Sequence, residues 1–412
     1  MLNRLIPYLF VMRKASILAD QVLVSGGNFL TIAICAHTLP LAEQGKFTYI
    51  FASYIAVLLL NIAGIFQGAA VRAPEQELHS YKTTLARLQL LQAILLSMLV
   101  SGIWLGAGYI FGWQTTNTEA GLFFAFLVLQ QLADFDRRTA YIFASTKRAI
   151  FSSALLYPAR VVGLIIIRPD TVSPVLLIMI FSALIPAVFT VISACRNNRA
   201  NAQPWIAAAI EQLTYSRLFI VGAPLGWLWA YIPILMLGIM HGKEQAALLG
   251  SIRGISNMAN VLMEHIETKV VADWARMRHG NGLPVLEEAV SRILKIGVII
   301  WLAGMAVLLV FGREIVNLIL GNLYAPHWNL LVIGWIGYGI YFIARIFGIK
   351  HRTLGFNQIE FTGNVFGVVV AVLAGFVMIP ALSATGAAWV YVVIAVAIMG
   401  SQTYLAKRLV RQ

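Results

Sequence analysis

Arg253, Asn257, Asn260, Glu264 and Glu267 follow one another at intervals of four, three, four and three residues. On an α-helix that spacing puts all five on one stripe. The stripe offers hydrogen-bonding groups along its length and a permanent cation at one end. A second arginine, Arg160, follows Pro158 inside another apolar run. It is either a buried cation for an anionic ligand or a guanidinium satisfied by carbonyls that the proline frees. Trp227, Trp229 and Tyr231 cluster between Pro224 and Pro233, presenting faces of the kind that stack on sugar rings, unless they are ordinary core or lipid-facing aromatics. Tyr54 and Asn61, seven residues apart, share a face that Gly68 continues, which suits a cavity lining and a close helix contact equally. Asp20, early in the first apolar run, is a candidate partner for either arginine or a candidate coupling group. Asp134 and Arg138, four apart, read as a helix pair.

The elements that position these groups follow from composition. Hydrophobic residues make up 60% of the 412 and charged residues 11%, against about 25% charged in soluble chains. So few charges cannot cover a water-facing surface, and most of the chain is predicted to lie in lipid. Runs of about 20 apolar residues fall near 15–38, 46–70, 88–112, 118–136, 149–167, 172–195, 217–240, 244–268, 292–311, 328–349, 355–379 and 385–406. The opening LNRLIPYLFVMRK reads as a short interfacial segment without a cleavage site. The expectation is an all-α polytopic membrane protein with twelve spans. Arg253, nine residues beyond Glu244, lies roughly 14 Å along its helix, near the middle of a ~30 Å core. A polar stripe of that length cannot face lipid, so it faces a cavity or a helix seam.

The net charge of +13 is accounted for by topology rather than nucleic acid. Of 30 Lys and Arg residues, 24 fall at the termini and in the even-numbered loops. Only Lys46, Arg168, Lys243 and Arg313 fall in the odd loops, which predicts both termini on the cytoplasmic side. Arg160 and Arg253 are the two left inside spans.

The chain reads as two halves of six spans, 1–195 and 217–412. Glu43-Gln44 recurs as Glu244-Gln245, and Pro169 recurs as Pro380 before the last span. An even number of spans per half makes this a parallel repeat. Between the halves, 196–216 is predicted to form a cytoplasmic amphipathic helix started by Pro204. Cys35 and Cys195 make no disulfide framework, no His/Cys cluster has metal-ligand spacing, and neither Gly-Lys pair belongs to a phosphate loop. No catalytic set, ATPase motif or cofactor site is recognisable.

Three segments carry a resemblance. ICAHTLPLAEQGKFTYIFASYIAVLLLNIAGIFQGAAVRAP at 34–74, with Leu39, Gly45, Gly64 and Arg72, resembles the first helix hairpin of Wzx-type polysaccharide repeat-unit flippases. FGREIVNLILGNLYAPHWNLLVIGWIGYGIYF, through Gly312, Gly321 and Tyr324, is similar to their tenth-span region. MIPALSATGAAWVYVVIAVAIMG, through Pro380 and Gly386-Ala387-Ala388, resembles their last hairpin. These flippases belong to the multidrug/oligosaccharidyl-lipid/polysaccharide (MOP) exporter superfamily.

The resemblance implies two six-helix lobes around a central cavity that opens to one side at a time. It implies a polyprenyl (undecaprenyl)-pyrophosphate-linked oligosaccharide as substrate, moved between leaflets of a bacterial inner membrane for O-antigen, capsule or exopolysaccharide assembly. Membrane lipids and a polysaccharide polymerase or co-polymerase are the implied partners. Arg253 and Arg160 would bind pyrophosphate bidentately. Asn257, Asn260, Glu264, Asn61, Tyr54, Trp227, Trp229 and Tyr231 would line the cavity, with Asp20 available for coupling. The span-two position equivalent to Arg253 is Ala52, so a second basic group would have to be Arg160. Twelve spans suit this branch better than the lipid II flippases, which usually have fourteen. A multidrug cation antiporter of the same fold is the main alternative, with an acidic cavity expected. A membrane glycan polymerase or ligase is a further alternative, with a long external loop expected.

Overall fold

A backbone in hydrocarbon must satisfy its own N–H and C=O groups, and a chain this apolar does so as helices. The computed structural model describes residues 2–72, 78–110, 113, 115–143, 146–195, 205–258, 274 and 282–409. Of these, 2–18, 70–72, 78–79, 146, 205, 218 and 357 are described in backbone only. The α-helices are α1 (Leu2–Thr38), α2 (Leu41–Asn61), α3 (Gln67–Arg72), α4 (Leu78–Ile110), α5 (Asn117–Ile142), α6 (Thr146–Ile167) and α7 (Val172–Cys195). They continue with α8 (Trp205–His241), α9 (Lys243–Ser256), α10 (Leu283–Leu320), α11 (Asn329–Thr353) and α12 (Asn357–Leu409). A π-helical turn, Ile62–Phe66, joins α2 to α3, and a 3-10 turn, Ala325–His327, precedes α11. No described residue is in a β-strand.

The chain is thus an all-α polytopic membrane protein. Nine described stretches are long and apolar enough to cross a membrane. The last of them, Gln358–Leu409, contains two of the twelve sequence spans. The spans expected at 118–136 and 244–268 are not among the nine: α5 is polar at its core, and α9 is described only as far as Ser256. Apolar side chains coat the outside, as lipid requires: α10 exposes Ile296, Ile299, Leu302, Leu309 and Val310 while burying Leu286, Val290, Leu308 and Val316.

Helix lengths depart from the sequence reading in three places. The opening segment is the start of α1 rather than a separate interfacial piece. The stretch from 205 to 216 is continuous with span seven in α8. It buries Ala209, Gln212 and Ser216 and exposes Ile206, Ile210 and Leu213. Gln212 and Ser216 face protein, while Glu211 and Thr214 are exposed: Gln212 Nε2 donates to the Ile65 carbonyl of the π-helical turn at 3.0 Å, and its Oε1 accepts from the Tyr81 hydroxyl at 2.8 Å. A turn of π-helix misaligns carbonyls, and Gln212 supplies a donor to one of them. α10 continues past 311, the expected end of its span, to Leu320, where Gly321, with a φ of 96°, ends it. The break in α12 agrees with the gap expected at 380–384: it falls at Ser383 (φ 52°, ψ −132°), three residues after Pro380.

The described chain divides into two compact units, Met1–Pro224 and Leu225–Gln412. In the first, the Glu43 carboxylate at the start of α2 accepts from the Val172 N–H at the start of α7 (3.0 Å). In the second, the Ser383 hydroxyl before the last helical stretch donates to Gln245 Oε1 at the start of α9 (3.4 Å). Each unit thus ties its Glu-Gln dipeptide to the chain just ahead of its last helix.

Candidate functional site

Arg253 sits two-thirds along α9, and the four-residue spacing to Asn257 keeps both on one face. Its guanidinium carbon lies 4.8 Å from the ring centroid of Tyr231 (α8) and 4.9 Å from that of Tyr391 (α12). The cation is held between two aromatic faces, an arrangement worth about 0.5–2 kcal/mol per face depending on desolvation. Tyr231 stacks in turn on Trp227, one turn back along α8, with centroids 5.7 Å apart and planes at 24°. The Tyr391 hydroxyl donates to the Ala230 carbonyl at 3.0 Å, which fixes the ring against α8. Tyr338 on α11 donates to Asn257 Oδ1. Four helices of the second unit therefore converge on one guanidinium. Among the described residues Arg253 forms no ion pair with a carboxylate.

Beside this cage lies a second aromatic group. Trp229 packs against Tyr341 (4.9 Å, 48°), and Arg345 Nη1 donates to the Tyr341 hydroxyl at 3.0 Å. The Trp229 indole N–H is buried without a hydrogen-bond acceptor. Trp227, Tyr231 and Arg253, singled out in the sequence, are thus brought together, while Trp229 faces Tyr341. Asn260 and Glu264 lie outside the described residues, as does Glu267. The sequence reading missed Tyr338, Tyr341, Arg345 and Tyr391. The first three had a signal, since their spacing of three and four is a helix stripe on α11; Tyr391 had none.

The first unit holds its charges differently. Arg137 Nη1 reaches Asp20 Oδ2 at 3.0 Å, and its Nη2 reaches Asp134 Oδ1 at 2.7 Å. Arg138 Nε pairs with Asp134 Oδ2 at 2.6 Å, as the four-residue spacing predicts. The Ser153 hydroxyl donates to Asp20, Ser152 donates to Asp136, and Arg148 pairs with Asp136 at 2.5 Å. Asp20 therefore partners neither Arg160 nor Arg253. Arg137, counted in the sequence as a loop charge, lies on α5 at 8% exposure. It is the closer partner because α5 runs six residues past the expected end of its span.

Arg160, on α6 two residues beyond Pro158, has no exposure at all. Its Nη2 donates to Gln130 Oε1, its Nη1 reaches Asn28 Oδ1 at 3.5 Å, and its guanidinium lies 5.4 Å over the Tyr157 ring. No carboxylate pairs with it among the described residues. Tyr157 in turn packs so closely on α1 that a Cβ at Gly27 would overlap it. Tyr54 is a core residue, 2% exposed and packed against Phe126 and Phe51. Asn61, immediately before the π-helical turn, is fully buried with both side-chain polar atoms unbonded.

Among the described residues no group of three or more His, Cys, Asp or Glu side chains is placed to hold a metal. The sequence matches no protein-family profile, and no curated protein matches it. Solved structures do resemble it. An inward-facing multidrug resistance MATE family transporter of the MOP superfamily superposes with a TM-score of 0.72 at 13% identity, covering 95% of each chain. The lipid II flippase MurJ, in an inward closed conformation, gives 0.73 at 9% identity, covering 96% of this chain and 87% of its own. A MOP superfamily transporter from Pyrococcus furiosus, described as having a binding pocket of reverse polarity, gives 0.55 at 14%, covering 97% and 92%. At these identities the likeness is one of architecture, and the chain has the fold of the MOP-superfamily membrane transporters.

Proposed function

We propose that this protein is a flippase for polyprenyl-pyrophosphate-linked oligosaccharide repeat units, carrying them from the cytoplasmic to the outer leaflet by alternating access. The two lobes, 1–195 and 217–412, rock about the 196–216 linker, with both termini cytoplasmic and no ATP hydrolysis involved. The observation that carries this reading is Arg253, a guanidinium with no carboxylate partner among the described residues, steadied by Tyr231 and Tyr391. A guanidinium offers paired N–H donors that match pyrophosphate oxygens, and the tyrosine faces hold it without neutralising it. Trp227 and Trp229 add faces that sugar rings stack on, and Asn257 adds hydrogen bonding. Support also comes from the architecture, shared with a flippase of lipid II.

The rival, a multidrug cation antiporter, is suggested by the MATE transporters among the structural relatives. It calls for an accessible embedded acid. Of the two candidates, Asp20 is 2% exposed and engaged by Arg137 and Ser153, and Glu264 lies outside the described residues. The Arg253 cage is basic.

Replacing Arg253 with Ala should abolish surface polysaccharide in the native host while protein level in the membrane stays unchanged. Arg253→Lys, which keeps the charge but loses the planar fork, should retain part of the function. Normal surface polysaccharide in Arg253→Ala would reject the assignment. Purified protein should bind a polyprenyl-pyrophosphate oligosaccharide and ignore cationic dyes; the reverse preference would establish the antiporter.

A further inference from the structure

On α11, Tyr338, Tyr341 and Arg345 follow one another at intervals of three and four, which puts them on one face of the helix. Contacts show where that face looks: Tyr338 donates to Asn257 of α9, and Tyr341 packs against Trp229 of α8. Arg345 continues the face one turn further. Its Nη1 donates to the Tyr341 hydroxyl at 3.0 Å, a contact that orients the planar guanidinium and adds no negative charge. The side chain is only partly buried. The Arg253 cage is level with Gly337, where a Cβ would lie 3.5 Å from the Tyr391 carbonyl carbon. Arg345 is eight residues beyond Gly337, roughly 12 Å along the axis.

Past Arg345 the helix reaches its basic end, where Lys350 and Arg352 pair with Glu287 and Glu360 at 3.2 and 3.6 Å. Arg345 therefore stands between that end and the cage. The internal repeat marks the same position. The offset that relates Pro169 to Pro380 also relates Asp134 of α5 to Arg345 of α11. In the first unit this register carries an acid, which lines a small interior cavity and pairs with Arg137 and Arg138. In the second it carries a cation, and a tyrosine hydroxyl steadies it. The position is thus a buried ionic lock in one unit and a partly exposed guanidinium in the other. A partly exposed, oriented guanidinium on the face that leads to the cage has the chemistry to take up phosphate oxygens.

We propose that Arg345 is the first point at which the phosphates of the lipid-linked substrate are held, ahead of the Arg253 cage. The inference rests on the flippase reading and adds to it the residue that receives the headgroup. Its sidedness follows the proposed orientation, which puts the basic end of α11 in the cytoplasm. A charge met first on the route acts mainly on the rate of capture, whereas the deeper cage governs how long the ligand stays.

The test is stopped-flow binding of a fluorescent polyprenyl-pyrophosphate disaccharide to the full-length protein in nanodiscs. Arg345→Ala should slow association by roughly tenfold and flatten its dependence on ionic strength, with dissociation within about twofold of the wild type. Arg253→Ala should instead speed dissociation. Arg345→Lys keeps the charge and should recover most of the association rate, a rescue that a purely structural role would not give. Should Arg345→Ala fail to fold, Arg345→Gln, with a polar side chain and no charge, takes its place with the same expectations. The proposal is overturned if association is unchanged without the Arg345 charge, if Arg345→Lys is as slow as Arg345→Ala, or if Arg345→Ala speeds dissociation as much as Arg253→Ala does. A wild type that does not bind the probe, or an Arg253→Ala variant that binds it like the wild type, rejects the flippase reading itself. An Arg345→Ala variant that matches the wild type beside a defective Arg253→Ala rejects this inference alone.

Discussion

Arg160 and Arg253 look alike in the sequence: each is an arginine deep in an apolar run, with no acid within seven residues of it. The structure gives them opposite surroundings. Arg160 has no exposure and is bonded by amides, at the margin of a cluster where every other arginine has its aspartate. Arg253 is only partly buried and lies between two tyrosine rings. Amide oxygens take up donors of the guanidinium and lock its plane. Ring faces attract the cation, and the Tyr231, Tyr338 and Tyr391 hydroxyls hydrogen-bond it, so neutral groups hold it in place. The same residue type is thus held by amides in one unit and by tyrosines in the other.

The contrast can be broken most severely at Arg137. Arg137→Ala leaves Asp20 and Asp134 without their shared partner inside the first unit, and removing one member of a buried ion network costs about 3–5 kcal/mol. It should lower the unfolding temperature in detergent more than any change at Arg253, and Asp20→Asn less than Arg137→Ala. Equal losses at Arg137 and Arg253 would show that the two regions are not built differently. Next is the cage itself. Tyr391→Ala removes one face over Arg253 and should weaken binding of a polyprenyl-pyrophosphate probe by roughly twofold to thirtyfold, the equivalent of about 0.5–2 kcal/mol. Unchanged binding would mean that the ring does not position the guanidinium. The smallest effect belongs to Tyr391→Phe, which keeps the ring and loses the hydrogen bond to the Ala230 carbonyl. A stability loss of about 0.5–1.5 kcal/mol with binding preserved would assign the hydroxyl to packing and the face to function.

Much of this architecture was legible because hydropathy and helical period are local. The runs at 172–195 and 328–349 correspond closely to α7 and α11. Asp134 and Arg138 pair as their spacing predicts. Helix ends were harder. Arg137 was read as a loop residue because a charge usually ends an apolar run, whereas here the charge is compensated from α1 and the helix continues. The break expected between the last two spans, at 380–384, falls at Ser383, whose hydroxyl is held by Gln245. Proline ends the regular hydrogen bonding, and a contact 138 residues away in sequence fixes where the chain turns.

By itself the sequence determined that the chain lives in lipid as helices, that its positive charge is concentrated at the termini and even-numbered loops, and that Arg160 and Arg253 need an explanation. Each of these follows from the cost of moving a residue or a peptide group into hydrocarbon, which is paid locally. Only the tertiary structure decided what surrounds each arginine. Tyr391 reaches Arg253 from 138 residues downstream, Asp20 meets Arg137 across 117 residues, and Gln212 reaches the Ile65 carbonyl across 147. Helices in a bilayer are individually satisfied along their length, so their lateral neighbours are chosen by side-chain packing between distant segments. No period or composition within one segment records that choice.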